Sequence, residues 1–103
     1  MAMIRAVYDA RDASWWGLSN EQRQHYNEWA REQGVPLDGR SVYRTEIHGT
    51  EKPFIRVYEY DLDEQGHKHL DPATDDVAKK APHDHPITCL PPVGPAIRAS
   101  EGV

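Results

Sequence analysis

Residues 41–70 constrain the fold of this chain more than any other stretch. Ser41–His48 and Pro53–Leu62 are rich in β-branched and aromatic residues and alternate in polarity, as half-buried strands do. Between Leu62 and His67, Asp63-Glu64-Gln65-Gly66 has the signature of a type I turn closed by a left-handed glycine. The stretch reads as a three-stranded antiparallel meander, with Gly49–Lys52 as the first loop and His67–Leu70 as the return strand.

That turn sets the register. Asp63 falls opposite His67, Asp61 opposite His69 and Tyr60 opposite Leu70. One face then carries Tyr58, Tyr60, Leu62 and Leu70, and the other carries Glu59, Asp61, Asp63, His67 and His69, with Ile55 and Val57 further along. On the preceding strand, Tyr43, Thr45 and Ile47 share a side. The aromatic row is the expected seat for a helix, and a one-residue slip would exchange the faces.

The helix itself is predicted at Ser19–Gln33. Ser19 and Gln22 form a capping box, Gly34 supplies a left-handed terminator and Pro36 prevents continuation. Tyr26, Trp29, Ala30 and Gln33 make one narrow stripe, which needs a sheet to bury it. Upstream, Ile4–Tyr8 admits a short strand or a helical first turn, and Asp9–Gly17 reads as irregular. The adjacent Trp15 and Trp16 cannot both face inward on one element, so one belongs to the core and the other to the surface or an interface. Asp38-Gly39 marks a turn after Pro36.

Six of the eight prolines lie between Pro72 and Pro95. Asp75-Asp76 and Lys79-Lys80 suggest a solvated connector, Ile87–Leu90 a short edge strand, and residues 91–103 an extended or disordered tail. With 103 residues, the chain is expected to hold one α+β domain over residues 1–90, a helix on a small three- to four-stranded antiparallel sheet. Such a core is small enough that a homo-oligomer is physically reasonable.

The formal net charge of −5 lacks the basic stripe that a phosphate backbone requires, so no nucleic-acid partner is expected. No apolar run approaches the roughly 20 residues that cross a bilayer. The N-terminus has no long apolar signal region, and the single Cys89 forms no internal disulfide, which favours a reducing, cytoplasmic setting.

Two histidine pairs carry the candidate chemistry. His67 and His69 alternate onto one strand face beside Asp61 and Asp63, and His83-Asp84-His85 repeats the spacing. Imidazoles two residues apart on a strand suit one metal ion, and the carboxylates would complete or orient such a shell. Against this, cross-strand Asp–His pairs on a wet surface are ordinary sheet decoration, and that reading is preferred, with no metal and no cofactor. Cys89 between Thr88 and Leu90 suits a buried thiol better than a nucleophile paired with His83 or His85. The aromatic set Trp15, Trp16, Trp29, Tyr43, Phe54, Tyr58 and Tyr60 would suit the lining of a ligand pocket but in so short a chain reads first as core, with the surplus Trp as an anchor for another protein. The run from Pro91 to Pro95 reads as a solvated tail before a groove-docking motif.

The segment from Arg56 to Gly66, followed by Asp71-Pro72-Ala73-Thr74, resembles part of a set of small uncharacterised proteins of actinobacteria and their tailed phages. These join a polar helix to a strand pair, a D-E-x-G turn, a D-P-A-T turn and a Pro-rich end. The likeness extends over about half of the chain and brings no activity with it. It implies a phage or prophage accessory protein. The expected function is therefore non-enzymatic binding of a host or virion protein, with Trp15 and Trp16 as contact candidates. The alternatives are a small virion or assembly component, and a metal-binding protein or metal-dependent hydrolase built on Asp61, Asp63, His67 and His69.

Overall fold

A computed structural model describes residues 4–91. Their fold is α+β. The elements are β1 (Ile4–Asp9), α1 (Ala13–Trp16), α2 (Asn20–Glu32), β2 (Val42–His48), β3 (Phe54–Glu59), β4 (Leu70–Asp71), β5 (Asp76–Val77) and β6 (His83–Pro86). An antiparallel sheet has the order β1-β2-β3-β6, and β4-β5 form a small hairpin beside it. The expected tail lies outside the described residues, apart from its first residue, Pro91.

Local sequence sets the helix ends. The Ser19 hydroxyl accepts from the Gln22 N–H, and the Gln22 side chain accepts from the Ser19 N–H, completing the capping box. At the other end Gly34 has φ +76°, the Gly34 N–H reaches the Arg31 carbonyl and the Val35 N–H reaches Ala30. These two hydrogen bonds close a Schellman motif, which needs the left-handed residue that only glycine supplies without strain.

The core is the layer between α2 and one face of the sheet. Tyr26, Trp29 and Ala30 of α2 meet Ala6, Tyr8, Ile47, Ile55, Val57 and Ile87. Burial of Trp29 is as expected, but the seat of the helix is not. The helix covers the Ile55/Val57 face, and the Tyr58/Tyr60 row points away. The reason lies outside the final hairpin. Over β1, β2 and β3 the centre of the side with Ala6, Tyr8, Ile47, Ile55 and Val57 carries Thr45 alone as a polar side chain, with Glu59, His83 and His85 at its rim, whereas the Tyr58 side carries Asp9, Arg44, Glu46, His48 and Arg56. The side that costs less polar desolvation is the side the helix covers.

A bulge adds a second correction. The β2–β3 register shifts between Val42 and Arg44. Val42 packs on the core, while Tyr43 leaves the row of Thr45 and Ile47 and joins Tyr58 and Tyr60, with ring centroids 6.2 and 4.5 Å away. Cations cover this aromatic row: Arg11 and Lys79 over Tyr43, Arg44 over Tyr58, and Lys68 over Tyr60.

Four further expectations shift. Asp9–Gly17 is not wholly irregular, because Asp12 caps the single turn of α1 by accepting from the Ser14 N–H. The edge strand is not Ile87–Leu90 but β6, which pairs with β3 from Phe54↔Pro86 to Val57↔His83. The return strand narrows to one bridge, Leu62↔Lys68, because the chain from Asp76 to Lys80 folds back. There Ala78 is buried, its carbonyl accepts from Asp61 and its N–H donates to His69. The expected connector is thus a paired third strand of the hairpin, although Asp75, Asp76, Lys79 and Lys80 stay exposed as expected. Its tight corner uses Asp75 at φ +56°.

Candidate functional site

Between α1, the middle of α2 and β2 lies an open cleft of about 310 Å³. It is lined mainly by Tyr8, Trp15, Trp16, Tyr26, Leu37 and Val42, with Asn27, Asp38 and Arg44 among the polar groups around them. This size is at the small end of ligand sites, which run from roughly 300 to 1,000 Å³.

Its architecture follows from the residues. Ser14 bridges the approach to α1: its hydroxyl donates to Asp12 at 2.6 Å and accepts from the Asp9 N–H at 2.7 Å. Gly17 closes the turn, its N–H donating to Ala13; a Cβ there would sit 2.5 Å from the Ala13 carbonyl oxygen, so only glycine fits. The single turn divides the tryptophans, as expected of adjacent residues. Trp15 packs edge-on against Tyr8 and Tyr26, at 6.4 and 5.7 Å. Trp16 is 62% exposed. It is nevertheless held: its indole N–H donates to the Ala10 carbonyl at 2.6 Å, and the Arg23 guanidinium lies over its ring at 5.2 Å. Arg23 is anchored in turn by the carbonyls of Trp16 and Leu18 and by the Asn20 side chain. Below them the Tyr26 and Thr45 hydroxyls bond at 2.7 Å, and burial pushes the Tyr26 phenol well above its ordinary value.

The opposite face of the sheet holds a buried ionic chain that motif reading misses. Asp9 is 2% exposed. Its carboxylate takes two bonds from the Arg11 guanidinium, at 2.9 and 2.7 Å, and a longer one from Arg44. Arg44 also clamps one oxygen of Glu46, and His48 Nε2 lies 3.0 Å from the other. The Arg11 hydrogen bond holds the Asp9 carboxyl below the usual carboxylate range. For Glu46 burial acts upward, but the bonds from His48, Arg44 and Tyr58 together prevail, and its value is lowered. His48 stacks on Phe54 at 4.6 Å, and its Nδ1 is buried without a hydrogen-bond partner.

The predicted Asp/His groups divide. Asp63, His67 and His69 are exposed on the hairpin, as expected, but they do not form a ligand shell. The Asp63 carboxylate accepts from the backbone N–H groups of His67 and Gln65, which lowers its pKa and ties it to the turn. Asp61 meets His69 at 3.4 Å, with both side chains nearly half exposed. Among the described residues, no three His, Cys, Asp or Glu side chains converge on a metal-sized point.

The second pair, placed by sequence in a loop, stands on β6, where strand pairing brings it beside Glu59. His83 Nδ1 lies 2.6 Å from His85 Nε2, and His83 Nε2 lies 2.6 Å from Glu59. The Ser41 hydroxyl donates to the other Glu59 oxygen at 2.8 Å. The i,i+2 histidines were legible; Glu59, 24 positions away, was not.

Cys89 is exposed rather than buried. Its carbonyl accepts from the Trp29 indole N–H, and its sulfur lies 3.6 Å from Gln33 Nε2. Thr88, whose hydroxyl donates to Gln33, and Leu90 are themselves exposed, so they do not enclose the thiol. No helix of the described residues is long and apolar enough to cross a membrane.

Compared with known proteins, the chain matches no family model, no curated protein and no solved structure.

Proposed function

We propose that this chain is a non-enzymatic binding protein that holds its partner, a host or virion protein, against the Trp15/Trp16 cleft, and that it is encoded by a phage or prophage. The observation that carries the reading is Trp16, an exposed indole fixed by the Ala10 carbonyl and the Arg23 guanidinium. An immobilised aromatic has already lost its side-chain freedom, so association costs less entropy there. Tryptophan and arginine are also the residues most enriched among binding hot spots, and the adjoining cleft can accept an apolar side chain of the partner.

The test is crosslinking capture from cells of the source host, with a photoreactive residue at Asn27 beside the cleft. The expected result is one discrete crosslinked protein, lost when Trp16→Ala is added. An unchanged crosslinking pattern in Trp16→Ala would sink the proposal. The neighbouring genes test the phage assignment separately.

A further inference from the structure

We propose that His83 and His85 form a two-nitrogen site for a cupric ion, oriented by Glu59. The proposal stands apart from the binding reading, because β6 and the Trp cleft use different residues.

The geometry begins with strand periodicity. Residues two apart on a strand face the same way, and β3–β6 pairing puts His83 beside Val57 and His85 beside Ile55. Val57 and Ile55 are fully buried, so buried aliphatic side chains flank the two imidazoles on one side, while the His83 side chain keeps 36% of its surface exposed. Their rings are nearly perpendicular, at 81°, with His83 Nδ1 and His85 Nε2 facing each other at 2.6 Å.

Glu59 decides which nitrogen of His83 is available. Its carboxylate lies 2.6 Å from His83 Nε2 and is held in place by the Ser41 hydroxyl. A carboxylate only accepts, so His83 places its proton on Nε2 and turns the Nδ1 lone pair toward His85. This is the carboxylate–histidine arrangement that orients metal ligands elsewhere. In the metal-free pair, His85 Nε2–H donates into that lone pair. On binding, the proton on His85 moves through solvent to Nδ1, and both lone pairs are then free to turn toward one ion. No electron is transferred. Bonds of about 2.0–2.1 Å to two cis nitrogens place those nitrogens about 2.9 Å apart; the rings now face each other nearly head-on, with centroids 4.7 Å apart, so binding turns both imidazoles toward the ion and opens the pair by about 0.3 Å. Two neighbouring imidazole donors suit cis positions on Cu²⁺, the divalent ion that such ligands hold most tightly; water completes the coordination.

The experiment is a titration of the tag-free full chain with Cu²⁺, followed by electron paramagnetic resonance and calorimetry. One tight equivalent is expected, with two equatorial nitrogens in the spectrum and a thermal midpoint that rises with Cu²⁺ concentration. His85→Gln, and separately His83→Gln, should remove that equivalent while circular dichroism shows a folded chain. Glu59→Gln should weaken it by about 10- to 100-fold and keep the two-nitrogen signature. His67→Gln with His69→Gln should leave it unchanged. The proposal is overturned if no tight equivalent exists, if it survives in folded His85→Gln, or if it is lost with His67 and His69 instead. Full affinity in Glu59→Gln overturns the positioning role of Glu59.

Discussion

At the scale of single residues, the most consequential group is one that no motif announces. Asp9 sits at the end of β1 with a nearly fully buried carboxylate between Arg11 and Arg44. Asp9→Ala removes the acceptor for both guanidinium groups. Because Arg11 and Arg44 remain partly in water, the expected cost is about 2–3 kcal/mol, below that of breaking a fully buried pair. Urea unfolding measures it. The same chain makes stability depend on pH. Asp9 and Glu46 have folded values below their ordinary 3.8 and 4.5. Lowered carboxylates stabilise the fold fully above those ordinary values, and the contribution is lost as pH falls through the folded ones. The thermal midpoint should therefore be flat above about pH 5 and decline below about pH 4.5, and Glu46→Gln should shrink that decline. A midpoint independent of pH over this interval would contradict the assignment.

At the scale of elements, α2 is legible almost residue by residue, because its ends are decided by local chemistry. Ser19, Gln22 and Gly34 act within a turn or so of themselves. Gly34→Ala should cost about 1 kcal/mol. A Cβ at Gly34 would meet nothing within 4 Å, so the penalty is the left-handed backbone alone, and Gly34→Asn should recover part of it. The inward face of the helix is tested by Trp29→Ala, expected to cost about 3–5 kcal/mol as a large aromatic is removed from the core. Its indole also holds the Cys89 carbonyl, so amide exchange should quicken around Ile87–Cys89 in the same variant. The turn at Asp63–Gly66 was also legible, with Gly66 at φ +81° and the Leu62↔Lys68 bridge in the expected register. The strand pairings were less so. β6 and the Asp76–Lys80 segment are short, polar and proline-flanked, and they become strands only by bonding to β3, Tyr60 and Asp61.

For the whole molecule, the sheet has two unlike sides. One is sealed by α2 over aliphatic residues. The other is a layer of tyrosines and carboxylates beneath Arg11, Arg44, Lys68 and Lys79. Those cations are spent on internal carboxylates and ring faces, and the chain as a whole carries −5. No appreciable affinity for duplex DNA is therefore expected at physiological salt, and a fluorescence titration showing sub-micromolar, salt-sensitive binding would contradict this.

The amino-acid sequence by itself determined the α+β class, the capped helix, the glycine-closed turns and the separation of Trp15 from Trp16. Each follows from interactions between residues a few positions apart, where propensity, capping and side-chain period act directly. Only the tertiary structure decided which sheet face α2 covers, that Tyr43 turns outward, that His83 meets Glu59, and that Trp16 borders a cleft. Those outcomes compare the burial cost of whole faces assembled from four strands. A bulge of one residue at Val42–Arg44 is enough to reassign a side chain from one face to the other.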